Sequence, residues 1–324
     1  MYAESMGIAA SMVSCLGLAK GSRILVLYDD GSRDVYRILA SAAEIIMAEA
    51  FGVNIDRMER PLTTLPGELS DSIRESPPDA SFYVAGVKPG ELPFRASLIE
   101  LLTSVKARHV HMPKATPQIL YKAENCIETA KATMRLYRAL EPAKLLRVEA
   151  PQGTSLEVRV GRYRWVADTG VIKPGEWGNW PPGEVYTTPE SVNGVLFVDG
   201  VIGDYFTSKY GLLSGAAVKL EIKDARIENA EGQLADELMD YLSRSECGLR
   251  IGETGIGSNE GIEKPIGNML HDEKIPGIHL AAGDPLGART GAQWKCGVHV
   301  DMMPLKATVY AEDRVIVKDG KLQV

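Results

Sequence analysis

The segment "SRILVLYDD" (residues 22–30) sets the pattern that decides the fold of the first half of the chain. Its run of aliphatic residues is typical of a buried β-strand that ends at the two aspartates. Two similar segments follow, "ASFYVAGV" (80–87) and "ARHVHMP" (107–113). Stretches with helical spacing alternate with them: 33–50, 94–106 and 117–140. This alternation predicts an α/β domain with a mostly parallel sheet and helices on both faces.

The second half of the chain has a different pattern, in which short alternating strands follow one another with Gly and Asp at the turns. The predicted strand segments are "SLEVRVGRYRWVAD" (155–168), "GVLFVDGVIG" (194–203), "GAAVKLEIKDARIENAEG" (215–232) and "ATVYAEDRVIVKDGKLQV" (307–324). One helix is predicted over residues 233–245. We therefore predict an α/β domain over residues 1–147 and a β-rich α+β domain over residues 148–324.

Composition and charge exclude several classes of function. The net charge of −7 and the pI near 5.4 argue against nucleic acid as a partner. No run of about 18 uncharged apolar residues occurs, so we expect no membrane span. The four cysteines lie far apart without a Cys-x-x-Cys pair, which favours unpaired thiols in a cytoplasmic protein. Because "YDDGSRD" carries acids where a glycine-rich phosphate loop would follow the first strand, we expect no nucleotide cofactor.

Carboxylates and imidazoles in the second half lie among glycines and apolar residues instead of on a solvated helix face. These residues are Glu184, Glu253, His271, Asp272, Glu273, His279, His299 and Asp301. If residues 297–303 are extended, His299 and Asp301 point to the same face of their strand, because strand side chains alternate. Such oxygen and imidazole donors suit Zn, Mn, Co or Fe(II) without any thiolate. The pattern therefore indicates a metal site.

Each of these positions also has a purely structural interpretation. His279, in an apolar strand, is by itself more typical of a core histidine with a hydrogen-bond partner, and Glu184 and Glu253 are by themselves ordinary strand or loop carboxylates. His109 and His111 alternate on a predicted strand of the first half, and we assign both to structure. No single residue decides between the two interpretations.

Five motifs in order change this balance: "PPGEVYTTPE", "GETGIGSNEGI", "GNMLHDEKIPGIHLAAG", "TGAQWKCGVHVDMM" and "ATVYAEDRVIVKDGKL". Together they make residues 155–324 resemble the thermophilic metalloprotease family of aminopeptidases, the relatives of aminopeptidase T and aminopeptidase S. The resemblance implies a homodimer and a centre of two divalent ions, Zn, Co or Mn. It implies these metal ligands: Glu184, Glu253, His279, His299 and Asp301.

The expected function is then hydrolysis of amino-terminal residues from peptides by a metal-activated water. In this hypothesis Glu253 and Asp301 bridge the two ions, and Glu253 or Glu273 carries a proton to the leaving amine. One departure stands out, because Leu286 occupies the place of a tyrosine thought to assist catalysis in that family. A phenol that would hydrogen-bond the oxyanion is therefore missing.

Two alternatives remain at this point. The same architecture resembles the dihydroxypyridine ring-opening dioxygenase, in which one Fe(II) is held by two histidines and a carboxylate. His279, His299 and Asp301 would supply that triad, and the substrate would be a small dihydroxylated aromatic ring. The second alternative is a metal-poor binding protein without enzymatic activity, for which Leu286 is the argument.

Overall fold

The computed structural model describes residues 2–213 and 218–324, with the backbone alone for residues 2–4. The helices are α1 (Tyr2–Leu16), α2 (Arg33–Ile45), α3 (Gly67–Glu75), α4 (Leu92–Ser104), α5 (Pro117–Tyr121), α6 (Cys126–Leu140), α7 (Asp204–Tyr210), α8 (Ala235–Ser243), α9 (Met269–Asp272) and α10 (Gly287–Thr290). The strands are β1 (Arg23–Tyr28), β2 (Glu49–Asn54), β3 (Ala80–Tyr83), β4 (Arg108–His111), β5 (Leu145–Glu149), β6 (Ser155–Arg159), β7 (Val166–Asp168), β8 (Trp177–Asn179), β9 (Glu184–Thr187), β10 (Ser191–Val198), β11 (Val218–Lys223), β12 (Arg226–Gly232), β13 (Ile251–Gly257), β14 (Ile278–Gly283), β15 (His299–Met302), β16 (Thr308–Ala311), β17 (Arg314–Lys318) and β18 (Lys321–Leu322).

The chain forms two compact units whose boundaries interleave. The first consists of Met1–Ala130 and Thr169–Pro182, and the second of Lys131–Asp168 and Gly183–Val324. Residues 131–147, placed in the first domain by the sequence pattern, thus belong to the second unit, whereas residues 169–182 belong to the first. The returning segment supplies β8 to the sheet of the first unit, where it pairs with β4.

The first unit is built on a parallel sheet with the strand order β2-β1-β3-β4-β8. Strand β1 pairs in parallel with both β2 and β3, and β3 pairs in parallel with β4. This confirms the predicted α/β fold class with its mostly parallel sheet. The helical spacing over residues 33–50 did not reveal β2, which begins at Glu49. As the edge strand of the sheet it is half exposed and lacks a continuous apolar run.

The second unit contains two sheets of antiparallel strands. The larger has the order β12-β11-β10-β6-β5-β16-β17-β18, and the smaller has the order β15-β14-β13-β9-β7. This confirms the predicted β-rich fold class. Of the predicted strand over residues 215–232, residues 215–217 lie outside the described part of the chain, and the remainder forms β11 and β12.

The core of the second unit determines which face of the smaller sheet is available for chemistry. Ile278, Leu280 and Val300 are buried in the main apolar cluster, together with side chains of the larger sheet. Since side chains alternate along a strand, the intervening residues His279 and His299 point to the opposite face. The apolar side chains of β14 and β15 therefore pack into the core, and their polar side chains lie together on the opposite face of the sheet.

The expectation of unpaired cysteines is wrong. Cys15 is bonded to Cys126 in the first unit, and Cys247 is bonded to Cys296 in the second. Sequence separations of 111 and 49 residues gave no sign of either pairing, since partners that far apart meet only through the fold.

No helix in residues 2–213 and 218–324 is both long enough and apolar enough to span a membrane.

Candidate metal centre

Four neighbouring strands of the smaller sheet carry the polar side chains. Glu184 begins β9, Glu253 lies on β13, His279 on β14, and His299 and Asp301 on β15. The strand register sets Ala281 opposite both Glu253 and Asp301, and sets Gly283 opposite His299. Small residues between the long polar ones leave room for those side chains to converge on the sheet face.

Gly255 is the clearest example of this clearance. It pairs with His279 across β13 and β14. A Cβ atom at Gly255 would lie 2.1 Å from His279 Nε2 and 2.3 Å from its Cε1, far inside van der Waals contact. The imidazole therefore occupies the space that any other residue at this position would fill. Sequence reasoning missed Gly255, although the repeated glycines of "IGETGIG" were a signal of close approach.

The five predicted ligands come together in two overlapping groups within the described part of the chain. One group consists of Glu184, Glu253 and His279, and the other of Glu253, His299 and Asp301; within each, the ligand atoms lie within 4.8 Å of one another. Glu253 belongs to both groups, as a bridging carboxylate would, whereas Asp301 belongs to one. His279, His299 and Asp301 do not form a group of their own, because Glu253 lies between the two histidines.

Glu253 faces a histidine with each of its oxygens. Its Oε1 lies 3.2 Å from His279 Nε2, and its Oε2 lies 3.8 Å from His299 Nε2. Oε2 is buried and accepts no hydrogen bond from the residues that the structure describes. A buried carboxylate oxygen without a donor is costly, and a cation held between Glu253 and the histidines would satisfy it.

The two imidazoles differ in orientation and in access. His299 Nδ1 donates to the backbone carbonyl of Asp284 at 2.9 Å, so Nε2 is left for a ligand. The His299 side chain is 27% exposed, whereas that of His279 is 2% exposed. The group that contains His299 is therefore the one that a small molecule can approach.

The charges of the centre compensate one another in the metal-free protein. Burial lowers the pKa of His279, but its hydrogen bond to Glu253 and the charge of Glu184 outweigh burial and raise the pKa to about 9. Burial likewise opposes the charge of Asp301, but the neighbouring His299 holds the Asp301 pKa at about 2. Since metal binding requires neutral imidazoles, uptake of an ion releases protons.

Two cations next to the metal groups were missed by sequence reasoning. Lys274 Nζ lies 2.5 Å from Glu184 Oε1 and 2.8 Å from Glu273 Oε1. Arg289 lies beside Tyr186, its guanidinium 5.9 Å from the ring centroid, and the nearby Asp168 and Glu184 contribute to raising its pKa. Lys274 could have been suspected from its place in the apolar context "KIPGIHLAAG", whereas Arg289 gave no signal.

The other predicted polar residues lie outside both groups. Glu273 contacts Lys274, and its expected role in proton transfer stays a prediction. His271 Nδ1 lies 2.7 Å from Asp272 Oδ1, and Asp272 accepts from the backbone N–H groups of Ile266 and Gly267. This pair fixes the loop before α9.

Comparison with known proteins decides the family. The sequence model of the 2,5-dihydroxypyridine 5,6-dioxygenase (NicX) family matches residues 8–324, almost the whole chain. The chain belongs to this dioxygenase family. A curated 2,5-dihydroxypyridine 5,6-dioxygenase of Pseudomonas putida KT2440 is 23% identical over 218 residues, an alignment that covers 63% of this chain and 61% of that protein.

Two solved structures share the fold. The structure of 2,5-dihydroxypyridine dioxygenase from Pseudomonas putida KT2440 has a TM-score of 0.73 at 18% identity and covers 99% of this chain and 97% of that chain. Wild-type AmpT from Thermus thermophilus has a TM-score of 0.67 at 19% identity and covers 100% of both chains. At these identities the two structures show the fold alone.

The expectation of an aminopeptidase is therefore wrong, and with it the description as a hydrolase or protease. The resemblance to aminopeptidases was real at the level of the fold, as the similarity to AmpT shows. The family match instead supports the dioxygenase alternative, and it makes the chain a member of an enzyme family. Five ordered motifs pointed to the ligand-type residues that the fold brings together, but not to the reaction.

Proposed function

We propose that the protein is an Fe(II)-dependent dioxygenase that opens the ring of a small dihydroxylated N-heteroaromatic compound of the 2,5-dihydroxypyridine class. The observation that carries the proposal is the buried oxygen Oε2 of Glu253, which accepts no hydrogen bond within the described residues and faces the partly exposed His299. In a chain of the dioxygenase family, this is where a metal and a small substrate would meet.

The residues fit such an ion. Glu253, His299 and Asp301 would hold it from the accessible side, and Glu184 and His279, which group with the same Glu253, would hold it from the buried side. Imidazole and carboxylate donors without thiolate are typical of non-haem Fe(II) oxygenases. The bound ion would supply the activation of O2 and a binding point for a ring hydroxyl.

The protein's own residues supply orientation and charge. The Asp284 carbonyl fixes the tautomer of His299 through Nδ1. Arg289 places a positive charge beside Tyr186 and the carboxylates, which favours an anionic ring oxygen over a neutral ring. Both oxygen atoms of O2 enter the product and the ring supplies the electrons, so the reaction consumes no separate reductant.

To test the proposal, the protein is loaded with Fe2+ under anaerobic conditions. Its O2 uptake is then measured after O2 and the substrate are added. We expect one O2 consumed per 2,5-dihydroxypyridine, with loss of the aromatic ultraviolet band and without NADH. The monohydroxylated rings 2-hydroxypyridine and 3-hydroxypyridine serve as matched control compounds and should not react. Iron per chain is measured on the same sample.

A matched pair of variants separates the metal centre from general damage. Asp301→Asn should abolish O2 uptake, whereas Asp199→Asn should not, because the Asp199 carboxylate accepts from Leu305 N and belongs to neither metal group. Protein that holds iron but consumes no O2 with any dihydroxypyridine isomer would refute the proposal.

A further inference from the structure

Lys274 is a fully buried lysine surrounded by carboxylates. Its ammonium lies 2.5 Å from Glu184 Oε1, 2.8 Å from Glu273 Oε1 and 3.9 Å from Asp168 Oδ2. A buried ammonium without partners would lose its charge, since desolvation penalises the ion. Here the nearby carboxylates outweigh the effect of burial and raise the pKa of Lys274 well above its usual value.

The backbone holds Lys274 in this position from both sides. Its N–H donates to the carbonyl of His271, and its own carbonyl accepts from Asn259 N at 2.9 Å. Glu184 is equally fixed, because it pairs with Asp168 on β7 and with Gly257 on β13. The contact between Lys274 and Glu184 therefore joins two rigid segments, and it is not a flexible surface ion pair.

The two oxygens of Glu184 have different partners. Oε1 is bound to Lys274 at 2.5 Å, whereas Oε2 faces His279 Nε2 at 3.6 Å. Resting on the metal centre of the proposed function, we propose that Lys274 is a positioning residue that makes Glu184 a single-oxygen ligand, through Oε2. Without the ammonium, Glu184 can rotate and bind an ion through both oxygens.

The competing explanation is that Lys274 only balances the charge of the neighbouring carboxylates. Metal affinity does not distinguish this explanation from the positioning of Glu184, because the two expected effects have opposite signs. Removal of a nearby cation strengthens the binding of a divalent ion, while loss of ligand orientation weakens it. The geometry of the bound ion does separate them. The visible spectrum of Co2+ depends on its coordination number and is observed without turnover.

The experiment compares Co2+ spectra of the wild-type protein, Lys274→Met and the double variant Lys274→Met/Glu273→Gln. In Lys274→Met we expect the visible band to weaken and to move to shorter wavelength, because two-oxygen binding by Glu184 raises the coordination number. The double variant removes the Glu273 carboxyl as well, so that Glu273 cannot contribute to any spectral change, while Oε1 of Glu184 remains without its ammonium. We expect its spectrum to stay shifted.

Each outcome of this experiment either supports or refutes the positioning role of Lys274. A Lys274→Met spectrum like the wild type refutes the positioning role. A shifted single variant with a double variant that returns to the wild-type spectrum shows that Glu273, and not a rotated Glu184, causes the shift, which also refutes it. If Lys274→Met does not fold, the double variant, which has fewer unpaired buried charges, is compared with the wild type alone. A shifted Co2+ spectrum then supports the positioning role, and an unshifted spectrum refutes it. Wild-type protein that binds no Co2+ and no Fe2+ refutes the proposed function as well, so the two failures are distinguishable.

Lys209→Met is the matched control. Lys209 also forms an ion pair with a glutamate, Glu237, but on the surface of α7. Its replacement should leave the Co2+ spectrum unchanged.

Discussion

Two strands of this protein carry almost the same three residues and use them in opposite ways. Strand β4 contains His109-Val-His111, and strand β15 contains His299-Val-Asp301. In both, the two polar side chains lie on one face of a strand and the valine is buried on the other. The difference between them lies in the groups that the rest of the fold brings near.

The β4 pair is part of a closed hydrogen-bond chain. Arg95 Nη1 lies 3.3 Å from His111 Nε2, His111 Nδ1 lies 3.2 Å from His109 Nε2, and His109 Nδ1 lies 2.9 Å from Ser81 Oγ. Since arginine can only donate, the network assigns each imidazole as neutral, with its proton on Nδ1. Burial lowers the pKa of His109 to about 3 and that of His111 well below its ordinary value.

The β15 pair faces carboxylates instead. Burial would lower the pKa of His299, but Asp301 and Glu253 raise it well above the ordinary value. The two histidines of β4 are therefore neutral and hydrogen-bonded, whereas His299 on β15 has a raised pKa and lies among the predicted metal ligands. A histidine two residues from another ligand-type side chain does not by itself indicate a metal site. The carboxylates that the fold brings near His299 are what distinguish β15 from β4.

The strongest test of the difference between β4 and β15 is to replace one histidine on each strand. We expect His299→Gln to weaken Fe2+ or Co2+ binding by at least about 100-fold, above the range for the loss of an outer-shell partner. His109→Gln should keep the metal affinity of the wild type, because the His109 ring nitrogens contact Ser81 and His111 and His109 belongs to neither metal group of the described residues. Isothermal titration under anaerobic conditions measures both. Equal losses in the two variants would contradict the distinction.

A smaller effect is expected when the ligand is kept and its space is removed. Gly255→Ala places a Cβ 2.1 Å from His279 Nε2, so the imidazole must move. We expect metal affinity to fall by about 10- to 100-fold, as for other changes that misorient a ligand, and stability by about 1–3 kcal/mol through overpacking.

Gly277→Ala is the control for this change, since a Cβ there meets its nearest atom, Ile275 O, at an ordinary 3.6 Å. Titration calorimetry and urea unfolding measure the two effects. Unchanged metal affinity in Gly255→Ala would show that the position of His279 does not matter for binding.

The smallest expected effect is on the pH dependence of the free energy of unfolding. The lowered pKa values of His109 and His111 mean that the unfolded chain binds protons below about pH 6.5 while the folded protein does not. The stability contribution is therefore present above pH 6.5 and is lost as the pH falls towards 3, by up to about 1.4 kcal/mol per pH unit and histidine. Arg95 on α4 adds to this by opposing a second positive charge.

Urea unfolding of the metal-free wild type and of His109→Gln between pH 7 and pH 5 measures this contribution. The variant has one buried imidazole fewer, so its free energy of unfolding should fall less steeply with acidification. Parallel curves for the two proteins would show that His109 is protonated in the folded state as well.

Much of the fold was accessible from the sequence because hydrophobic periodicity is a local property. The β-strand and helix alternation of the first half predicted the parallel sheet, and the alternating strands of the second half predicted the antiparallel sheets. What the pattern missed has local causes too. Strand β2 is a half-exposed edge strand, and β5 lies in the segment taken as the domain boundary.

The candidate site was accessible in part. The His-x-Asp spacing placed His299 and Asp301 on one strand face, and the structure has them on β15. That Glu184, Glu253 and His279 join them came from ordered motifs, and the structure brings the five together. The reaction was not accessible, because carboxylate and imidazole side chains are metal ligands in hydrolases and in oxygenases alike and do not distinguish the two reactions.

The sequence by itself determined the strand and helix periodicity, the alternation that separates the core face from the site face, and the supply of metal-ligand side chains. Only the tertiary structure decided that Glu253 is shared by two ligand groups, that Lys274 binds one oxygen of Glu184, that the cysteines pair, and that His109 is neutral. The physical reason is the range of the forces involved. Periodicity depends on neighbours a few residues apart, whereas the charge, the partner and the burial of a side chain depend on groups that are distant in the chain and meet only when it folds.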